Sequence, residues 1–232
     1  MSTTRIIHYD DLPQGGFAGI MERRMVMNPD AFPMARGRED ISYGFGDFIY
    51  LSLGQFLPND GAPLHPHADV DIVSVVFNGS VGHKGTLGDG TELHAPEVQV
   101  QRAGTGMQHA EFNLGETHAD FAQIWFNPPQ QGLEPAYRNF KLSPDSLTTV
   151  LGGDDNSFDS NMVCKVGYLP AGEQMSADGA FVALVTEGHG VANDIEAKKG
   201  DLVQGEGFYF TARGLVGLVV ISPNARGEHR HG

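Results

Sequence analysis

The chain has a single cysteine among its 232 residues, Cys164 in NMVCKVGY. One thiol forms no internal disulfide, and it has no local partner for a CxxC or zinc site, so it reads as a small apolar strand residue. Positive charge is scarce as well. Lys and Arg number 15 against 29 acidic residues, for a formal net charge of -14. Sequence-independent affinity for nucleic acid comes from basic side chains that displace counterions from phosphates, so direct nucleic-acid binding is not expected. No run approaches the roughly 18 to 20 apolar residues that span a bilayer. The opening MSTTRIIHYDD lacks an apolar core flanked by positive charge, so the expectation is a cytoplasmic protein without membrane contact. Long helical periodicity is missing too.

What the chain does have is 31 glycines and 13 prolines, the composition of short strands joined by tight turns, and the expected class is all-β. Its length suits one large β domain or two smaller ones. Asp47 to Phe56 (DFIYLSLGQF), Asp71 to Phe77 (DIVSVVF), Val98 to Val100 and Phe121 to Phe126 (FAQIWF) read as strands, because β-branched and aromatic residues dominate between turn signals. The second half has comparable runs at Cys164 to Leu169, Ala180 to Val185, Asp201 to Gln204, Gly207 to Thr211 and Gly217 to Ile221. Between the halves, KLSPDSLTTVLGGDDNS has the densest turn composition and is expected to be the linker. The expected division is a first domain over 1–140 and a second over 141–232.

The halves resemble each other. VVFNGSV around Gly79 resembles LVTEGHG around Gly188, and APEVQ ending at Gln99 resembles KGDLVQ ending at Gln204. Self-similarity in fixed order is the mark of a duplicated unit.

The segment PLHPHADVDI sets His65 and His67 two residues apart. Side chains alternate faces along a strand, so both rings project the same way about 7 Å apart and can converge on one ion. GTGMQHAEFN places His109 and Glu111 with the same parity. Three imidazoles and a carboxylate suit Fe, Ni, Mn, Cu or Zn, and four protein ligands leave two positions of an octahedron open. Counting from Gly188 and Gln204, the matching positions of the second copy are Gln174, Ser176, Gly214 and Val216, so the ligand set belongs to the first half alone.

The run HPHADVDIVSVVFNGSVGHKGTLG, followed by EVQVQRAGTGMQHAEFN and FAQIWFNPPQQGLEPAY, resembles the pirin family of bicupins. The family usually has Glu where this chain has Asp71, and Asp where it has Gly85. The resemblance implies two cupin β-barrels (double-stranded β-helices) face to face, a degenerate second barrel without ligands, and one divalent ion in the first barrel. Its ligands would be His65, His67, His109 and Glu111, with Fe(II) favoured over Ni, Mn, Cu, Zn or Co. It further implies a quercetin 2,3-dioxygenase-like activity, in which dioxygen cleaves a flavonol or related enediol with release of carbon monoxide. Glu111 would be the catalytic base. Phe48, Val73, Val75 and Trp125 are candidates for a dry aromatic-binding wall. The alternative is a non-catalytic metal-binding regulatory or stress protein that acts through a protein partner. Two barrels in one chain are compatible with a monomer. His83 and His94 are expected in exposed turns, and His8, His118 and His189 have no ligand-type neighbour in the sequence. His229 and His231 in EHRHG mimic the ligand pair but lie in a polar tail that cannot preorganise a site.

Overall fold

The computed structural model describes residues 4–153 and 157–225. Strands dominate as expected, and the helices among the described residues are two 3-10 turns, Tyr9–Asp11 and Pro33–Ala35. A seven-stranded sheet runs, in spatial order, through Ala136–Lys141, Glu97–Arg102, Asp71–Asn78, Ala119–Phe126, Phe48–Phe56, Ile20–Met27 and Gly15–Phe17. A four-stranded sheet runs through Gly61–His67, Met107–Asn113, Ser80–Gly85 and Glu92–His94. These two sheets form the first barrel. A third sheet holds Leu147–Leu151, Met162–Leu169, Val216–Pro223, Gln174–Glu187, Asp201–Ala212, His189–Ala192 and Ile195–Lys198, with Arg5–His8 paired to Asp201–Ala212. The amino-terminal strand therefore joins the sheet of the second half.

The apolar run DIVSVVF lies between Glu97–Arg102 and Ala119–Phe126 in the middle of its sheet and is buried on both faces, which is why it lacks the alternation of a half-solvated strand. The halves share one continuous core in which Phe48, Val73 and Ile124 pack with Val166, Leu184 and Ile221. Each such side chain contributes about 1.5–3 kcal/mol on burial. Cys164 belongs to this core with no exposed surface, and burial pushes its thiol pKa up.

The duplicated turn is visible in the backbone. Gly79 and Gly188 follow corresponding strands with φ of 78° and 72°. At Gly79 a Cβ would come within 2.9 Å of the Ala119 methyl, and at Gly188 within 2.2 Å of the Leu215 carbonyl oxygen, so both turns require glycine.

Three sequence expectations change. The expected linker contains the strand Leu147–Leu151, paired with Met162–Leu169. The runs at Asp201 and Gly207 are one strand, Asp201–Ala212. Because that strand continues where the first half turns at residues 103–106, Gln174 and Ser176 face Thr211 and Tyr209 rather than the stretch around Gly214 and Val216. None of those four is a His or a carboxylate. In this half Phe181, Phe208 and Phe210 pack on one another with centroids 4.7 and 6.1 Å apart in an apolar core, on the face of the strand pair opposite to Thr211 and Tyr209.

Candidate metal centre

His65 and His67 sit on Gly61–His67, a strand with Pro63 and Pro66 inside it. Proline cannot donate to a ladder, and it is tolerated here because this strand is the edge of the four-stranded sheet. Its neighbour Met107–Asn113 places His109 directly opposite His65. A register shift follows, so Glu111 faces Ala62 on one side while His83 of Ser80–Gly85 is its partner on the other. The sheet thus presents two rows on one face, His65 beside His109 and Glu111 beside His83.

The structure brings the three histidines together. The ring centroids of His65, His67 and His109 are 4.5–4.9 Å apart, and their ligand atoms lie within 4.8 Å of one another. Glu111 joins through a second group of the same tightness, made with His109 and His83. His109 is common to both.

Hydrogen bonding sets the tautomer of His65. Its Nδ1 lies 2.7 Å from the Pro63 carbonyl oxygen, which can only accept, so Nδ1 carries the proton and Nε2 presents a lone pair. That Nε2 is 3.0 Å from Nε2 of His109. Ligands in adjacent positions of an octahedral ion with bonds of about 2.1 Å are themselves about 3.0 Å apart. His67 Nε2 is buried with no hydrogen-bond partner, an orphan that an ion would satisfy. His67 and His109 are held down to a pKa of about 3, first by burial and then by neighbouring imidazoles. They are neutral at pH 7, the form in which imidazole binds metal. Spacing, tautomer and donor type together fit a borderline divalent ion.

Burial raises the Glu111 pKa, against the opposing pull of His83, His65 and its hydrogen bonds. The fully buried Gln99 donates its amide to Glu111 Oε1, and Gln99 Oε1 accepts from Tyr137 OH at 3.0 Å. Ser74, on the strand beside Gln99, donates to Gln123 Oε1 at 2.6 Å. A polar chain thus backs the carboxylate inside the barrel. Gln99 carries no site signal in the sequence beyond its alignment with Gln204.

A cavity of about 310 Å³ opens over His65, His67 and Glu111. Of the expected wall residues only Trp125 lines it, 5.4 Å from the His67 ring. Phe48, Val73 and Val75 lie in the shared core instead, because they point to the other face of the sheet. The remaining apolar wall includes Phe17, Phe32, Met34 and Phe121, mostly from the first sixty residues. One side is polar: Glu22 accepts from Arg24 Nε at 2.9 Å and from Tyr50 OH at 3.0 Å. A larger cleft of about 570 Å³ near Tyr9 and Lys199 is lined by His8, Asp10, Asp11, Asp120 and Asp201, and among the described residues no three of these come close enough to share one ion.

The other histidines separate. His83 was expected in an exposed turn; it is buried, at 1% exposure, because its strand turns the ring into the barrel. His94 is exposed, and His118 and His189 are exposed too. His8 does have a carboxylate partner, Asp201 at 2.7 Å, brought from far along the chain by strand pairing. His229 and His231 lie outside the described residues. Asp71 places its carboxylate on Arg102 through two bonds of 2.8 and 2.6 Å, away from the cavity.

Comparison with known proteins bears out the resemblance. Residues 26–126 match the pirin family model. A pirin-like protein of Caulobacter vibrioides is 39% identical over 83 residues, 36% of this chain and 36% of the relative. A quercetin 2,3-dioxygenase of Escherichia coli K12 is 34% identical over 97 residues, 37% of this chain and 42% of the relative. The matched stretch therefore covers well under half the length of either relative. Among solved structures, a bacterial pirin from Escherichia coli in complex with nickel(II) superposes with a TM-score of 0.81 at 19% identity, covering 94% of this chain and 98% of that one. A quercetin 2,3-dioxygenase from Acinetobacter baumannii gives 0.67 at 18% identity, covering 94% and 85%. The fold is that of a bicupin.

Proposed function

We propose that this chain is a metal-dependent dioxygenase of flavonols such as quercetin or of related enediols, working in the first barrel. The ion would be held by Nε2 of His65, His67 and His109 together with the Glu111 carboxylate. The observation that carries this reading is the paired Nε2 atoms of His65 and His109, 3.0 Å apart, with the His65 proton fixed on the far nitrogen by Pro63. Residues 141–232 would be the partner barrel without ligands, with an apolar core of Val, Ala, Leu and Phe side chains. The name of the Escherichia coli relative and the nickel-bound pirin structure support the same reading.

A divalent ion in this seat supplies a Lewis acid for an enolate-type oxygen and a meeting place for dioxygen. The protein's own residues do the rest. Glu111 takes the proton of the flavonol 3-hydroxyl on its carboxylate, whose basicity burial has raised. Gln99, braced by Tyr137, holds that carboxylate in one orientation. Phe32, Phe121 and Trp125 exclude water from a planar substrate, and the cavity volume of about 310 Å³ is at the small end of ligand sites.

The test is oxygen uptake by the Fe(II)-loaded protein across quercetin, other flavonols and small enediols, with carbon monoxide measured in parallel. Consumption of flavonol and dioxygen with release of carbon monoxide, lost in Glu111→Gln, is the expected result. No consumption of any flavonol or enediol by protein carrying one ion per chain overturns the proposal.

A further inference from the structure

We propose that the first barrel holds a second seat for a divalent ion, one strand across from the first, built from His83 Nδ1, His109 and Glu111. This rests on the reading of the barrel as metal-binding and extends it to a residue outside the four-ligand set. His83 is 1% exposed and is the direct cross-strand partner of Glu111. Its Nε2 lies 2.8 Å from the Leu87 carbonyl oxygen. A carbonyl accepts only, so the proton sits on Nε2 and the lone pair on Nδ1, the same logic that prepares His65. That Nδ1 is buried with no hydrogen-bond partner, and so is Nδ1 of His109. A buried acceptor left unpaired is costly, and a cation satisfies it. The ligand atoms of His83, His109 and Glu111 lie within 4.8 Å of one another, and all three residues are buried.

The donor types differ from those of the first seat. Two imidazoles and one carboxylate are the set that holds non-haem Fe(II) with positions left open. A neutral imidazole has one lone pair, and the two seats share His109 and Glu111. They are therefore alternatives for one ion, and the stoichiometry stays at one per chain. With the ion in the second seat, the proton of His109 resides on whichever nitrogen faces away from it. His65 and His67, which line the cavity, are then free to contact a ligand directly.

The test is Co(II) titration of the full chain, read as bound metal after equilibrium dialysis and as visible d–d absorption. Wild type is expected to bind one ion. His65→Ala/His67→Ala is expected to bind one ion still, with a shifted d–d spectrum, and adding His83→Phe is expected to take binding to zero. Because His83→Phe fills a packed interior, Glu111→Gln in the same double background serves as the second arm and is also expected to lose the ion, with circular dichroism confirming the fold. The proposal is overturned if the folded double variant binds nothing, or if it binds Co(II) equally with and without His83. Wild type that binds no Co(II) would overturn the function proposed above as well. Wild type with one ion and a double variant with none removes the second seat alone.

Discussion

His65 and His109 are cross-strand partners whose Nε2 atoms meet at 3.0 Å. Because Pro63 holds the His65 proton on Nδ1, the contact pairs a lone pair with either the N–H of His109 or a shared cation. Two residues of an edge strand and one of its neighbour thus set out the corner of a coordination sphere before any ion arrives. Preorganisation of this type depends on groups behind the ligands as much as on the ligands themselves.

His109 belongs to both groups of ligand-type residues, so its removal is the most damaging single change to metal binding. His109→Ala is expected to take the metal content from one ion per chain to none, measured by inductively coupled plasma mass spectrometry after dialysis. Equal metal in wild type and variant would contradict the assignment.

Gln99 is tied to Glu111 in front and Tyr137 behind. Gln99→Leu leaves the carboxylate without its amide donor and is expected to lower kcat on the accepted substrate by roughly 10- to 100-fold, with KM little changed. Tyr137→Phe removes one neutral hydrogen bond and is expected to cost about 0.5–1.5 kcal/mol at most. Steady-state kinetics of the two variants at matched metal content checks the order.

Stability of the metal-stripped protein is expected to fall in acid. His67 and His109 titrate near 6.5 when unfolded and at about 3 when folded. Between those values the unfolded chain holds more protons, so stability is fully present above pH 6.5 and is lost as pH falls toward 3. Each ring contributes a slope of at most about 1.4 kcal/mol per pH unit. Urea unfolding midpoints of EDTA-treated protein between pH 4 and 7 should show the slope, and His67→Asn should flatten it. An identical slope in the variant would exclude His67 as a source.

Arg102 ties the barrels together. It pairs with the fully buried Asp71, donates to the Asp159 carbonyl oxygen at 2.7 Å and stacks on Phe158 at 5.1 Å. Arg102→Ala leaves an uncompensated buried carboxylate and is expected to destabilise by about 3–5 kcal/mol in urea. Retention of full stability would mean that the pair contributes nothing net.

The sequence made the fold class legible through turn composition and β-branched runs. It made the histidines legible through parity, since two-residue spacing on strands has one geometric meaning. His83 was hidden because GHKGTLGDG reads as a turn, whereas only its first residues continue a strand into the barrel. Ile20–Met27 was hidden because Glu22, Arg23 and Arg24 interrupt its apolar pattern, and Glu22 and Arg24 turn out to line the cavity. Phe48, Val73 and Val75 could not be separated from Trp125, because the face a strand residue takes depends on pairing partners far away in the chain.

The most direct test of the central claim is an anomalous difference map from crystals of the protein grown with Fe(II) or Ni(II). The account predicts one peak about 2.1 Å from Nε2 of His65, His67 and His109. Well-ordered rings at those three positions with no peak between them, and the ion bound only at exposed histidines, would contradict it.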